Sequence, residues 1–170
     1  SAFLERNLQE GRGSQPAIYS QGQVYTYAQI AELANRVGNG LLDLGIEQEQ
    51  RVALLLLDSP EFAASFFGGI KIGAVPIPIN TALRPADYVY ILNDSRAKVL
   101  LIHAEIWPTV RSVLSQLKYL RHVVVVGLTE AESATLHDFE HWIAQASAQL
   151  AAAETSKDDS AFWLYSSGST

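Results

Sequence analysis

The order of hydrophobic and polar positions changes several times along the chain between a helical and a strand-like period. The first helical pattern has five apolar residues at the spacing of one buried helix face, namely Ile30, Leu33, Ala34, Val37 and Leu41. Thr26 and Gln29 precede most of it with the spacing of a capping box, and Gly45 follows it as a C-terminal cap residue would. The pattern predicts a helix that begins after Thr26 and ends before Gly45.

Two short β-prone pieces precede this helix. They cover residues 16–19 and 23–25, and Ser20, Gln21 and Gly22 lie between them. A short turn that contains glycine between two such pieces predicts a β-hairpin.

Further along, short apolar runs alternate with longer amphipathic segments. Residues 51–57 hold one charge followed by an apolar run, which is typical of a strand buried on both faces. The cap residue Ser59 and the first-turn Pro60 predict a helix that ends at Gly73. The remaining pattern predicts strands at 74–79, 98–102, 122–126 and 161–165, helices at 85–92, 106–117 and 138–151, and a polar loop at 152–160.

This alternation of strands and helices predicts the fold class. Strands that are each followed by a helix form a mostly parallel sheet, because the crossover helices return the chain to the same end. We therefore expect a doubly wound α/β fold with helices on both faces of the sheet. We expect it to be an incomplete part of a larger N-terminal domain.

The composition restricts the classes of function. Apolar residues make up 48% of the 170 residues, enough for a packed core. The 12 basic and 18 acidic residues give a net charge of −6 and form no basic cluster, which argues against a nucleic-acid partner. No apolar run approaches the roughly 18 residues that span a bilayer, so we expect no membrane partner. The absence of cysteine excludes thiol chemistry within the chain and is compatible with the cytoplasm.

The strongest candidate for chemistry is the hydroxyl-rich turn after the last predicted strand. It consists of Ser166, Ser167, Gly168, Ser169 and Thr170. Ligands of open parallel sheets bind where strands end at their carboxyl tips. The glycine lets the backbone come close to a polyphosphate, and N–H groups and hydroxyls supply donors to phosphate oxygens. Taken alone, the turn is compatible with a phosphate site and with a plain surface loop.

Other candidate sites are weaker. His137 and His141 are four residues apart on a predicted helix, but Asp138 stands where a zinc-protease motif needs glutamate. We therefore expect a solvated helix end and no metal site. Ser167 and Ser169 do not fit the Gly-x-Ser-x-Gly frame of a serine hydrolase.

Three stretches match motifs of one known family. Residues 165–170, Tyr-Ser-Ser-Gly-Ser-Thr, match the start of a phosphate loop that continues with Gly and then Pro-Lys-Gly. Residues 25–30 resemble a Thr-Tyr-x-Glu-Leu helix opening, and residues 70–80 resemble Lys-Ala-Gly-Ala-x-x-x-Pro-x-Asn. By these motifs, nearly the whole chain resembles the adenylate-forming superfamily. Asn80 is similar to its acyl-CoA synthetases, and residues 6–13 and 94–100 are similar to benzoate-CoA ligases.

The resemblance implies a two-step reaction. A carboxylate attacks the α-phosphorus of Mg-ATP to give an acyl-adenylate and pyrophosphate, and the thiol of coenzyme A then displaces AMP. The expected partners are a small-molecule carboxylate, benzoate or a substituted benzoate, with ATP, Mg²⁺ and coenzyme A. The residues expected to hold the β- and γ-phosphates are Ser166, Ser167, Gly168, Ser169 and Thr170.

The resemblance also implies how the chain relates to the whole enzyme. Residues 1–170 are expected to form the N-terminal portion of the large AMP-binding domain and to end inside its phosphate loop. The family's lysines and acyl pocket then follow Thr170, so we expect no catalytic residue in this piece, and we expect the piece alone to be inactive. A cytoplasmic enzyme that could form a homodimer is expected. Two alternatives stay open, a medium- or long-chain fatty acyl-CoA ligase and a non-catalytic α/β binding module.

Overall fold

The computed structural model describes residues 2–128 and 135–166. The helices are α1 Ala2–Gln9, α2 Tyr27–Asp43, α3 Pro60–Lys71, α4 Pro85–Asp94, α5 Trp107–Arg111 and α6 Phe139–Gln145, and a 3₁₀ turn covers Leu114–Gln116. The strands are β1 Pro16–Ser20, β2 Gln23–Thr26, β3 Arg51–Leu55, β4 Val75–Pro78, β5 Val99–His103, β6 His122–Val126 and β7 Leu136–Asp138.

Five strands form the central sheet in the order β4–β3–β5–β6–β7. Every adjacent pair is parallel, and in the middle of the sheet Ala53 of β3 lies beside Ile77 of β4 and Leu100 of β5. The strands β1 and β2 form a separate antiparallel hairpin. The predicted hairpin and the predicted parallel sheet are both confirmed.

The hydrophobic core lies on both faces of this sheet. Along β3, Ala53 and Leu55 point into a layer shared with α4 and α5, whereas Val52 and Leu54 point into a layer shared with α2, α3 and α6. A strand covered on both faces needs a continuous apolar sequence, and the run in β3 provides it. The doubly wound α/β fold with helices on both faces is therefore confirmed.

Side-chain caps start the two longest helices where the sequence predicts. The Thr26 hydroxyl accepts from the Gln29 N–H at 3.3 Å, and the Gln29 side chain accepts from the Thr26 N–H at 2.8 Å. The Ser59 hydroxyl accepts from the Phe62 N–H at 3.3 Å. These bonds satisfy N–H groups that have no partner within the helix.

The helix predicted at 138–151 is shorter in the structure and ends at Gln145. The strap, residues 146–150, lies along α2, whose side chains bind its carbonyls. Asn39 donates to Ser147 and Gln149 at 2.7 and 3.0 Å. Asn35 and Arg36 donate to two further strap carbonyls at 2.8 Å each. These bonds use the carbonyls at the end of the predicted helix, so an extended strap replaces its last turns.

Three other differences concern short elements. Helix α1 and strand β7 were not predicted, and the helix predicted at 106–117 is divided into α5 and the 3₁₀ turn. His137 lies in β7 and His141 in α6, so the prediction of both on one helix is wrong.

Among the described residues, no helix has the length and apolar character needed to span a bilayer.

Candidate active site

The carboxyl ends of the parallel strands lie along one edge of the sheet. Asp58 follows β3, Asn80 follows β4, His103 ends β5 and Gly127 follows β6. Counted from β3, the strands have the order 2-1-3-4-5, so the winding reverses between β3 and β5. Ligands of open α/β sheets bind outside the carboxyl ends of the strands, close to such a reversal.

A cleft of about 710 Å³ opens at this reversal, between the hairpin and the ends of β3, β5 and β6. Three of its lining side chains are carboxylates, those of Asp58, Glu61 and Glu140. Burial, and then the charges of Glu61 and Asp138, raise the pKa of Glu140. Because like charges repel, this cleft is a poor site for the triphosphate of a nucleotide.

Asn80 begins a tight turn at the carboxyl end of β4. Its side-chain oxygen accepts from the Ala82 N–H at 2.9 Å, and its carbonyl accepts from the Tyr88 hydroxyl at 3.3 Å. The Tyr88 oxygen also accepts from the Leu83 N–H at 3.2 Å. Burial raises the pKa of Tyr88. Asn80 therefore fixes the turn between β4 and α4 through contacts within the protein.

Of the five residues predicted to bind phosphate, the structure describes Ser166, which is exposed. Ser167, Gly168, Ser169 and Thr170 lie outside the described residues. The site can therefore be followed through the segment that leads to it, residues 161–166, which we call the leading segment.

The leading segment runs along the outer edge of β4. Ala161 lines a hollow together with Ala74, just before β4 begins, and the Trp163 N–H donates to the Pro76 carbonyl at 3.1 Å. The step of two residues from Ala161 to Trp163 thus runs beside the step of two residues from Ala74 to Pro76. The segment runs in the direction of β4 and brings Ser166 toward the carboxyl edge.

The prediction of a regular strand at 161–165 is wrong, because the leading segment forms no ladder with β4. Val75 and Ile79 donate their N–H groups toward β3, which leaves Pro76 and Pro78 facing the open edge. Proline has no N–H, so this edge accepts hydrogen bonds there but cannot donate them. The apolar pattern of residues 161–165 predicted an extended backbone. It could not show that Pro76 and Pro78 of the neighbouring strand have no N–H groups to pair with it.

Side chains hold the leading segment on both faces of the sheet. Phe162 lies beside Phe66 of α3, with 5.3 Å between ring centroids. On the other face, the Arg51 guanidinium carbon lies 5.7 Å from the ring centroid of Trp163. Arg51 is itself held by a bond of 2.8 Å from its Nε to the Ser95 carbonyl. Successive residues therefore contact opposite faces, as in a strand.

Tyr165, the residue directly before Ser166, is bound to the end of α4. Its hydroxyl donates to Asp94 Oδ2 at 2.7 Å. Burial, and then the hydrogen bond and charge of Asp94, raise the pKa of Tyr165 to about 12. The phenol therefore keeps its proton and donates at neutral pH. Sequence reasoning missed this pair, since no local pattern links residues 71 positions apart.

His137 lies beside His122, on the neighbouring strand. His137 Nε2 lies 3.3 Å from His122 Nδ1, across the pair of strands β7 and β6. In the described ranges, 2–128 and 135–166, no group of three or more histidine, aspartate or glutamate side chains could hold a metal ion.

The comparison with protein families assigns the chain to a family. The family described as AMP-binding enzyme matches residues 4–170. The chain belongs to this family. Benzoate–CoA ligase of Thauera aromatica is 40% identical over 169 residues, which are 99% of this chain and 31% of that protein. A long-chain-fatty-acid–CoA ligase of Mycobacterium tuberculosis is 37% identical over 145 residues, 85% of this chain and 27% of that protein.

A solved AMP-binding structure has the same fold. The anthranilate CoA ligase AuaEII, in complex with anthranoyl-AMP, superposes with a TM-score of 0.93 at 40% identity, over 99% of this chain and 32% of that one. The family and the fold implied by the sequence motifs are thus confirmed. The chain spans about a third of the length of the AMP-binding relatives it matches. The phosphate role of residues 166–170 stays a prediction.

Proposed function

We propose that the protein to which this chain belongs is an AMP-forming acid–thiol ligase. A carboxylate oxygen attacks the α-phosphorus of ATP, the bond to the β-phosphate oxygen breaks, and an acyl-adenylate and pyrophosphate form. The thiol of coenzyme A then attacks the acyl carbon, AMP leaves, and the thiol proton is released. The observation that carries this proposal is the family match over residues 4–170, together with relatives that are named as CoA ligases.

The proposed acid is benzoate or a substituted benzoate. Ligases named for benzoate and anthranilate align with 99% of this chain, whereas the fatty-acid ligase aligns with 85%. The sequence identity of these two aromatic-acid ligases is also higher, at 40% against 37%. A fatty acyl-CoA ligase is the second candidate, favoured by 37% identity over the aligned part.

We further propose that residues 166–170 hold the β- and γ-phosphates. The set consists of Ser166, Ser167, Gly168, Ser169 and Thr170. Their hydroxyl and N–H donors would stabilise the charge that builds on pyrophosphate as it leaves. Support comes from the direction of the leading segment, which carries Ser166 toward the carboxyl edge, away from the start of β4.

We also propose how residues 1–170 relate to the whole enzyme. Residues 1–170 form the N-terminal portion of the large AMP-binding domain, and they are inactive without the rest of the protein. Mg²⁺ arrives with the nucleotide as Mg-ATP, and no reaction step is assigned to a metal held by the described side chains. The whole enzyme is cytoplasmic, and a homodimer is its proposed assembly.

A panel of carboxylates tests the substrate class. The full-length protein is incubated with ATP, Mg²⁺, coenzyme A and one acid at a time, and the acyl-CoA formed is measured by mass spectrometry. Benzoate, 4-hydroxybenzoate and 2-aminobenzoate represent aromatic acids, and octanoate and palmitate represent fatty acids. We expect the highest kcat/KM with an aromatic acid. Equal or higher values with octanoate would establish the fatty-acid alternative, and no thioester from any acid would favour a binding module.

A further inference from the structure

We propose that Tyr165 and Asp94 are positioning residues for ATP binding. Their hydrogen bond ties the leading segment to the end of α4 and so holds Ser166, the first residue of the predicted phosphate loop, in place for the phosphates. The inference rests on the proposed function and extends it to two residues that act through the loop.

The need for such an anchor follows from the edge of β4. Pro76 and Pro78 face the leading segment and cannot donate to it, so backbone pairing alone holds the segment weakly. The bond from the Trp163 N–H to Pro76 fixes the segment two residues before Tyr165. The position of Tyr165 therefore depends on side-chain contacts.

The position of Asp94 argues for a role outside its own helix. Asp94 is the last residue of α4, where the partial negative charge of the helix terminus disfavours a carboxylate. A bond of 2.7 Å from a neutral phenol to this carboxylate is short and charge-assisted. The carboxylate of Asp94 therefore stabilises the contact with Tyr165, although it destabilises the end of α4.

The geometry links this contact to the predicted loop. Tyr165 and Ser166 are consecutive, so their Cα atoms are roughly 3.8 Å apart across a trans peptide. Fixing the Tyr165 side chain thus fixes the first residue of the loop. A loop that is ordered before the nucleotide arrives loses less conformational entropy on binding, which lowers the KM for ATP when binding is at equilibrium.

The test compares Tyr165→Phe and Asp94→Ala with the wild type, in the full-length enzyme. Loss of one hydrogen bond should raise the KM for ATP about 3- to 10-fold in each variant. The KM for the carboxylate should change less than about twofold by the same reasoning, since it does not use the loop. The double variant should match the single ones, because both remove the same bond. A general loss of folding would instead lower kcat and thermal stability without a selective change in the KM for ATP.

Two matched variants complete the design. Asp94→Asn keeps an acceptor oxygen and should restore most of the affinity for ATP. Tyr90→Phe removes a phenol from the neighbouring surface of α4, where Tyr90 is 65% exposed, and should behave as the wild type. An unchanged KM for ATP in both Tyr165→Phe and Asp94→Ala would overturn the proposal.

Amide hydrogen exchange separates this inference from the proposed function. Peptides that cover residues 162–170 should exchange faster in Tyr165→Phe than in Tyr90→Phe, whether or not the enzyme turns over. If the full-length protein activates no carboxylate, the proposed function fails. The exchange rates still test whether the bond between Tyr165 and Asp94 orders the leading segment. Equal exchange in the two variants contradicts it.

Discussion

Gly68 of α3 approaches the carbonyl oxygen of Ala34 in α2 so closely that a Cβ on Gly68 would lie 2.5 Å from it. The neighbouring Gly38 lies at the same crossing, and a Cβ on Gly68 would be 3.1 Å from its nitrogen. The two helix backbones thus touch without side chains between them. This contact sets the distance between α2 and α3, which both cover one face of β3. Helix α3 also covers the start of the leading segment, where Phe66 lies beside Phe162.

We predict that Gly68→Ala destabilises the protein by about 1–3 kcal/mol, because a backbone carbonyl cannot rotate away from the new methyl group. Gly38→Ala is the comparison and should cost less, since its Cβ would first meet the end of the Leu150 side chain, at 2.4 Å, which can move, and would lie 3.2 Å from the nearest backbone atom, the Gly68 oxygen. The urea midpoint measures both variants. A Gly68→Ala protein as stable as the wild type would show that α2 and α3 separate easily.

An ion pair joins α1 to the body of the domain. Lys71 Nζ lies 2.8 Å from Glu5 Oε1, and the Lys71 side chain is only 11% exposed. Removing the carboxylate leaves a cation with little access to water, so Glu5→Gln should cost about 1–2 kcal/mol, less than for a fully buried pair. Glu32→Gln breaks a pair of which the glutamate is 55% exposed, and it should cost under about 0.5 kcal/mol. Equal costs, measured by urea unfolding, would refute the distinction.

The paired imidazoles of His122 and His137 predict a pH dependence of stability. Burial, and then the charge of Arg121, lower the pKa of His122, and burial, and then His122, lower the pKa of His137. Below about pH 6.5 the unfolded chain therefore binds more protons than the folded one. The contribution of these residues to stability is complete above this pH and falls as the pH decreases.

Urea midpoints at pH 7.5 and 5.5 check this prediction. The wild type should lose more stability between the two values than His122→Gln, in which the pair is absent. His141→Gln, at an exposed position of α6, should keep the dependence of the wild type. A smaller or equal loss in the wild type than in His122→Gln would contradict the prediction.

The sequence was informative where structure is determined locally. The starts of α2 and α3 could be predicted from Thr26 with Gln29 and from Ser59 with Pro60, because a cap and the groups it binds are close neighbours in sequence. The continuous apolar run of β3 predicted that the strand is buried on both faces.

Contacts between distant residues could not be predicted in this way. The strap takes its shape from Asn35, Arg36 and Asn39, more than a hundred residues earlier in the chain. The bond between Tyr165 and Asp94 is equally remote in sequence. In contrast, the loss of the ladder at 161–165 could have been anticipated from Pro76 and Pro78, once β4 was recognised as an edge strand.

Transfer of oxygen from substrate to product shows whether the reaction passes through an acyl-adenylate. The full-length enzyme is supplied with ATP, Mg²⁺, coenzyme A and benzoate labelled with ¹⁸O in both carboxylate oxygens. An acyl-adenylate route moves one labelled oxygen into the phosphate of AMP, because the carboxylate oxygen that attacks the α-phosphorus stays with AMP when the thiol displaces it. We predict AMP that is heavier by one ¹⁸O in the mass spectrum, together with unlabelled pyrophosphate. Label in inorganic phosphate with ADP as the nucleotide product would contradict the acyl-adenylate route.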